Sequence, residues 1–143
     1  MRVQWAAAAL AMLVLTSTAA LALAGEPALT PEQRMQARYP QPARVGDLIG
    51  LPVLDDRART LGYVHEIVRT DKDQILLIVD YGGFLGWHSR PIAVPLEVVG
   101  IAGRHISSLD MARHDYESAP TWKDTSVRAV GADVVIKIAL ARH

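Results

Sequence analysis

The chain has 143 residues, and the first 24 or so read as an export signal, so roughly 119 remain to fold. That suffices for one domain and not for two ordinary ones, and a domain of this size buries roughly 65% of its unfolded surface without metal or disulfide staples. Basic and acidic residues balance at 15 each, and losing Arg2 with the signal leaves a charge near −1, which excludes the basic face of a nucleic-acid binder and a polybasic membrane anchor.

Arg2 is the only charge in the first 25 residues. An apolar run follows from Trp5 to Leu15, then Thr16-Ser17-Thr18, then Ala-rich sequence. Ala22-Leu23-Ala24 is a small-x-small cleavage site, which predicts a mature protein starting at Gly25 in the periplasm. The other reading is a retained anchor, since Trp5–Ala24 is ~20 residues and long enough to span a bilayer. Its Ala-rich composition, polar break and cleavage site favour removal, with no membrane insertion afterwards. The chain has no Cys, which excludes a lipoprotein anchor, disulfides and thiol chemistry.

Residues 25–43 carry Pro27, Pro31, Pro40 and Pro42 and read as a linker. Thr30 as N-cap and Pro31 in the first turn predict a short helix to about Arg38. Short β-rich runs begin at Arg44. Pro52-Val53-Leu54, Thr60–Val68, Gln74–Tyr81, Arg90–Val99 and Gly103–Ser107 read as strands, separated by polar turns at 55–59 and 71–73 and by Gly82-Gly83. QILLIVDY is apolar enough to be buried on both faces. Pro91 and Pro95 demote parts of their strand to edge or bulge positions. Strands at such spacing predict an all-β, small antiparallel barrel or sandwich. Asp110 is placed to cap a short helix over Met111–Ser118, ended by Pro120. DVVIKIALA, residues 133–141, alternates with period two and predicts a strand that needs a sheet edge. The link Lys123–Ala132 is long enough to place it on the same barrel or to swap it into a homodimer.

No constellation of residues announces chemistry. The five histidines are dispersed, the closest pair being His105 and His114, nine apart, so no metal site is expected. No serine sits in a nucleophile elbow, and Gly82-Gly83-x-x-Gly86 is not followed by the Lys-Ser/Thr of a phosphate loop. No catalytic residue and no cofactor are expected. The most unusual segment is Tyr81-Gly82-Gly83-Phe84-Leu85-Gly86-Trp87-His88. Tyr81, Phe84, Leu85 and Trp87 either dock a partner from a loop or fold back to plug a barrel mouth. Trp122 is read as anchoring the post-barrel segment on the wall, with partner binding second.

One set of motifs carries a resemblance. Val45-Gly46-Asp47-Leu48-Ile49-Gly50-Leu51-Pro52-Val53, Leu61-Gly62-Tyr63-Val64, Glu66-Ile67-Val68, Leu77-Ile78-Val79-Asp80-Tyr81-Gly82-Gly83-Phe84-Leu85-Gly86 and Ile92-Ala93-Val94-Pro95-Leu96-Glu97 occur in that order. The pattern resembles the PRC-barrel family, in its exported, single-barrel, alpha-proteobacterial form. It implies a PRC-type barrel over 44–122, preceded by the linker 25–43 and followed by a link and strand over 123–143. Gly50 and Gly62 then mark bends or close approaches, Gly82 and Gly83 a turn, and Pro95 an edge or bulge. Leu48, Val53, Val64, Leu76, Ile78, Ile92, Val94 and Leu96 are expected in the core. Known roles of the fold are docking roles, organising a membrane complex or gripping a ribosomal protein. The resemblance thus implies a non-catalytic protein-interaction or assembly module with a protein partner; the other reading is an envelope stress protein that binds a small ligand or a metal.

Overall fold

The computed structural model describes residues 27–83 and 87–142. The segment read as an export signal and two of the loop residues singled out above, Phe84 and Leu85, lie outside them.

The proline-rich segment is folded onto the barrel. Helix α1 spans Pro31–Ala37 and opens as expected: the Gln33 backbone N–H donates to Thr30 Oγ1 at 3.2 Å, and the Thr30 N–H donates to Gln33 Oε1 at 2.9 Å. Strand β1, Gln41–Arg44, follows within the stretch read as a linker, and the single turn α2, Val45–Leu48, buries Val45 and Leu48. Then come β2 (Pro52–Leu54), β3 (Thr60–Arg69), β4 (Ile75–Tyr81) and β5 (Arg90–Pro95). The strand expected over Arg90–Val99 breaks at Pro95 into a 3-10 turn, Leu96–Val98, and a separate β6, Val99–Ala102. Strand β7 (His105–Ser108), helix α3 (Arg113–Ser118), β8 (Arg128–Ala129) and β9 (Val135–Leu140) complete the chain.

The strands run in the order β1-β9-β6-β7-β2-β3-β4-β5, with the two-residue β8 beside β3. This is the small all-β, barrel-like fold expected, with two differences. The sheet does not close, because β1 and β5 each end the path without pairing. Nor is it purely antiparallel: β2 pairs β7 and β6 pairs β9 in parallel. Parallel neighbours need long connections, and the hairpins β3–β5 and the segment through α3 supply them.

All eight expected core residues are buried. Leu77 and Val79 enter the main core with Val53, Ile92 and Ile106. Leu76 and Ile78, on the other face of β4, pack with Val68, Ala93, Trp122 and Val127. Strand β4 is therefore buried on both faces, as its continuous apolar run required. In β3 the register slips opposite Val53/Leu54 and again between Val64 and Glu66. These two bulges reset the alternation, so Leu61, Val64 and Ile67, three residues apart, all reach the main core.

Strand β9 fills the place between β6 and β1, pairing with both inside its own chain. Ile136 and Ile138 are buried on the face the alternation predicted, and Ala139 is buried on the other. Val134, expected on the buried face, is 41% exposed because it precedes the strand.

Candidate functional site

The interior is filled, and its plug comes from α3. Tyr116 is 0% exposed and belongs to the main core, its hydroxyl donating to Ser108 Oγ at 3.0 Å. Burial raises the phenol to about 12, partly countered by that hydrogen bond. The Tyr81 ring lies 6.0 Å from that of Tyr116, so Tyr81 is a partly buried residue packed against the core. Arg90 fixes the arrangement. Its guanidinium stands 5.5 Å from the Tyr81 ring and donates to the carbonyls of Tyr116 at 2.9 Å and Glu117 at 2.7 Å, at the end of α3. Trp122 likewise lies half-buried in the outer cluster, and its N–H donates to Pro91 O at 2.7 Å.

Asp110, expected to cap α3, does something else. Its carboxylate accepts two hydrogen bonds from Arg38, at 2.8 and 2.9 Å, with Arg34 at 3.4 Å. The Arg38 guanidinium holds the carboxyl below the usual range, against a smaller opposing effect of burial. This clamp fastens α1 to the segment before α3. The N-terminal turn of α3 is closed by Asp115, whose carboxylate accepts from the Ala112 N–H at 2.7 Å.

Asp55 is a second tie. Its carboxylate is 2% exposed and accepts from the backbone of Arg57 and Arg59 at 3.0 and 2.9 Å. The guanidinium of Arg59 at 2.8 Å and of Arg113 at 3.1 Å complete the set. Burial pushes this carboxyl up, but the hydrogen bonds from Arg59, Arg57 and Arg113 outweigh it and hold the acid far below 3.8. The residue joins the β2–β3 turn to α3.

A groove opens at the rim where β3, β4 and the glycine loop meet. Gly62, Tyr63, Asp80, Gly83, Ser89 and Arg113 are among the residues lining this groove of about 610 Å³. Tyr63 is 54% and Trp87 74% exposed, the two exposed aromatic side chains among the described residues of this region. The chain needs glycine in the groove floor: a Cβ on Gly62 would strike the Asp80 carbonyl, and one on Gly83 the Trp87 carbonyl. Gly82 and Gly83 have φ of +74° and +76°, and His88, beside Trp87, holds +61° without being glycine. A non-glycine residue in the left-handed region costs of order 1 kcal/mol. His65, the bulged residue of β3, sits at the same rim, with Nδ1 3.1 Å from Asp80 Oδ2.

Of the residues expected to bind a partner, Trp87 is the exposed one among those described, while Tyr81 and Trp122 are half-buried against the two core clusters. Tyr63 was not singled out from the sequence, although its place in an alternating strand signalled an outward side chain. Gly50, with a φ of +84°, turns the chain after α2, and Pro95 ends β5. Among the described residues no group of three His, Asp or Glu side chains converges to hold a metal, and no helix is long and apolar enough to cross a membrane.

A family model for the PRC-barrel domain matches residues 43–107. With the fold above, this stretch of the chain, from the end of β1 to β7, is a PRC-barrel domain. The flanking α1, α3 and β9, with most of β1, lie outside the match and complete its sheet and core. No curated protein matches the chain.

Proposed function

We propose that this is an exported PRC-barrel protein of the single-barrel type, acting in the periplasm as a non-catalytic protein-interaction or complex-assembly module. Export rests on the apolar run and the Ala22-Leu23-Ala24 site. The docking surface is the rim of Tyr63, Asp80, Ser89 and Trp87. The observation that carries the reading is Trp87. This tryptophan is left 74% exposed, beside a backbone held at positive φ, so most of its apolar ring faces solvent. Aromatic side chains on shaped loops are what protein interfaces use as anchors.

A crosslinking pull-down from intact cells tests the reading. The native protein is expected to capture one defined partner, and Trp87→Ala, with unchanged melting temperature, to lose it. Equal capture by both proteins would reject this rim as the docking surface. Native mass spectrometry of the purified protein decides against the competing stress-protein reading if no small ligand or metal is retained.

A further inference from the structure

The strand path ends at β1 and β5, and an open strand edge is a template for another strand. Two hydrogen bonds fix which backbone groups these edges offer. The Val45 N–H donates to Val134 O at 2.9 Å, continuing the register in which Ala43 faces Ile136 and Gln41 faces Ile138. Alternate residues of an antiparallel ladder turn both backbone groups to the same side. Gln41 and Ala43 therefore bond to β9, and Pro42 and Arg44 turn outward. On β5 the Trp122 N–H reaches Pro91 O at 2.7 Å, so Pro91 turns away from β4, and Ala93 and Pro95 turn with it. Arg90, Ile92 and Val94 bond inward, opposite Tyr81, Val79 and Leu77.

Prolines thus hold outward positions on both edge strands: Pro42 on β1, and Pro91 and Pro95 on β5. None has an N–H, and none removes a donor from the sheet's own ladder. Ala93 is the one residue of the outward row of β5 with a donor to offer. The segment Ala119–Trp122 also lies along the start of that edge, held by Arg90 and by the bond to Pro91.

We propose that these prolines keep the open sheet from pairing with a second copy of the chain. The pairing they deny is β5 against β5, antiparallel about a two-fold axis through Ala93. That arrangement needs donors at 91, 93 and 95, and each copy supplies the middle one only. The same exclusion acts at Pro42 on β1.

Light scattering after size exclusion, over a range of concentrations, tests this on the full mature chain, with amide exchange followed by NMR. The native protein is expected to stay monomeric, its Ala93 amide exchanging orders of magnitude faster than those of Ile92 and Val94 at every concentration. Pro91→Val/Pro95→Val is expected to form a concentration-dependent dimer in which the Ala93 amide becomes protected. Pro31→Ala, in the first turn of α1 and outside both edge strands, is expected to stay monomeric. A folded double variant that remains monomeric at the highest concentration would overturn the proposal, as would native protein whose Ala93 amide gains protection with concentration. If the double variant does not fold, Pro95→Val alone is read in the same way, and the native exchange measurement decides by itself.

Discussion

Ala58 holds a φ of +57° in the turn between β2 and β3, where its N–H donates to the Asp55 carbonyl at 3.0 Å. A Cβ is disfavoured there, so Ala58→Gly is expected to stabilise the protein by about 0.5–1 kcal/mol in chemical denaturation, once the added chain entropy of glycine is counted. Tyr116 gives a prediction in pH. Its phenol is raised from 10.0 to about 12 by burial, so between those values the folded state binds a proton that the unfolded state has released. Stability is full below pH 10 and falls as pH rises toward about 12, by about 2–3 kcal/mol in all. Tyr116→Phe should lose this slope while keeping the same denaturant dependence elsewhere. Asp55 works at the other end of the scale. Its depressed acid contributes stability above pH 3.8 that is lost as pH falls through the folded value, and Asp55→Asn should remove that acid-side slope. The buried aliphatics were legible in the sequence, because they recur at strand periods. Tyr116 was not: in RHDYES it has only polar helical neighbours, and what buries it is a barrel end formed by distant strands. Asp110 misled for a related reason. Its position before a helix reads as a cap, and only the folded chain brings Arg38 to it.

At the scale of elements, β4 is buried on both faces, and Ile78 on its outer face is 1% exposed. Ile78→Ala should cost about 2–5 kcal/mol. A loss under 1 kcal/mol would mean that the outer cluster under Trp122 is not a packed core. Strand β9 shields β6 and brings Ile136 and Ile138 into the core. Deleting residues 123–143 should therefore lower the melting temperature. It should also cause association, because β6 carries no proline to guard it. A truncated protein that melts as before and stays monodisperse would contradict this role. Strands with β-branched runs were readable, and so was α1 from Thr30 as N-cap and Pro31 in its first turn. Strand β1 was not, since Gln-Pro-Ala-Arg has no strand formers; it is a strand because β9 offers an edge and its proline faces outward. The order of strands was also hidden. The parallel β6–β9 pair depends on a connection that wraps the barrel, and no local pattern encodes where such a connection ends.

At the scale of the whole molecule, the PRC-barrel domain of residues 43–107 is completed and sealed by flanking segments. Alpha1 is clamped through Arg38 and Asp110, α3 through Asp55 and Arg90, and β9 through the sheet itself. The interior is occupied by side chains, and the strand edges are guarded by proline. The docking surface proposed above is the side-chain surface of the rim, where Tyr63 and Trp87 stand out of the core. Much of this site was legible as a glycine-rich aromatic segment, but the sequence could not separate Tyr81, which folds inward, from Trp87, which does not. The most direct test of the docking reading places a photo-activated crosslinking residue at position 63, 87 or 137 in turn, the last on the exposed side of β9, and irradiates living cells. A discrete adduct with the same protein from positions 63 and 87, and none from 137, is the predicted result. Adducts from all three positions alike, or from none, would contradict the account.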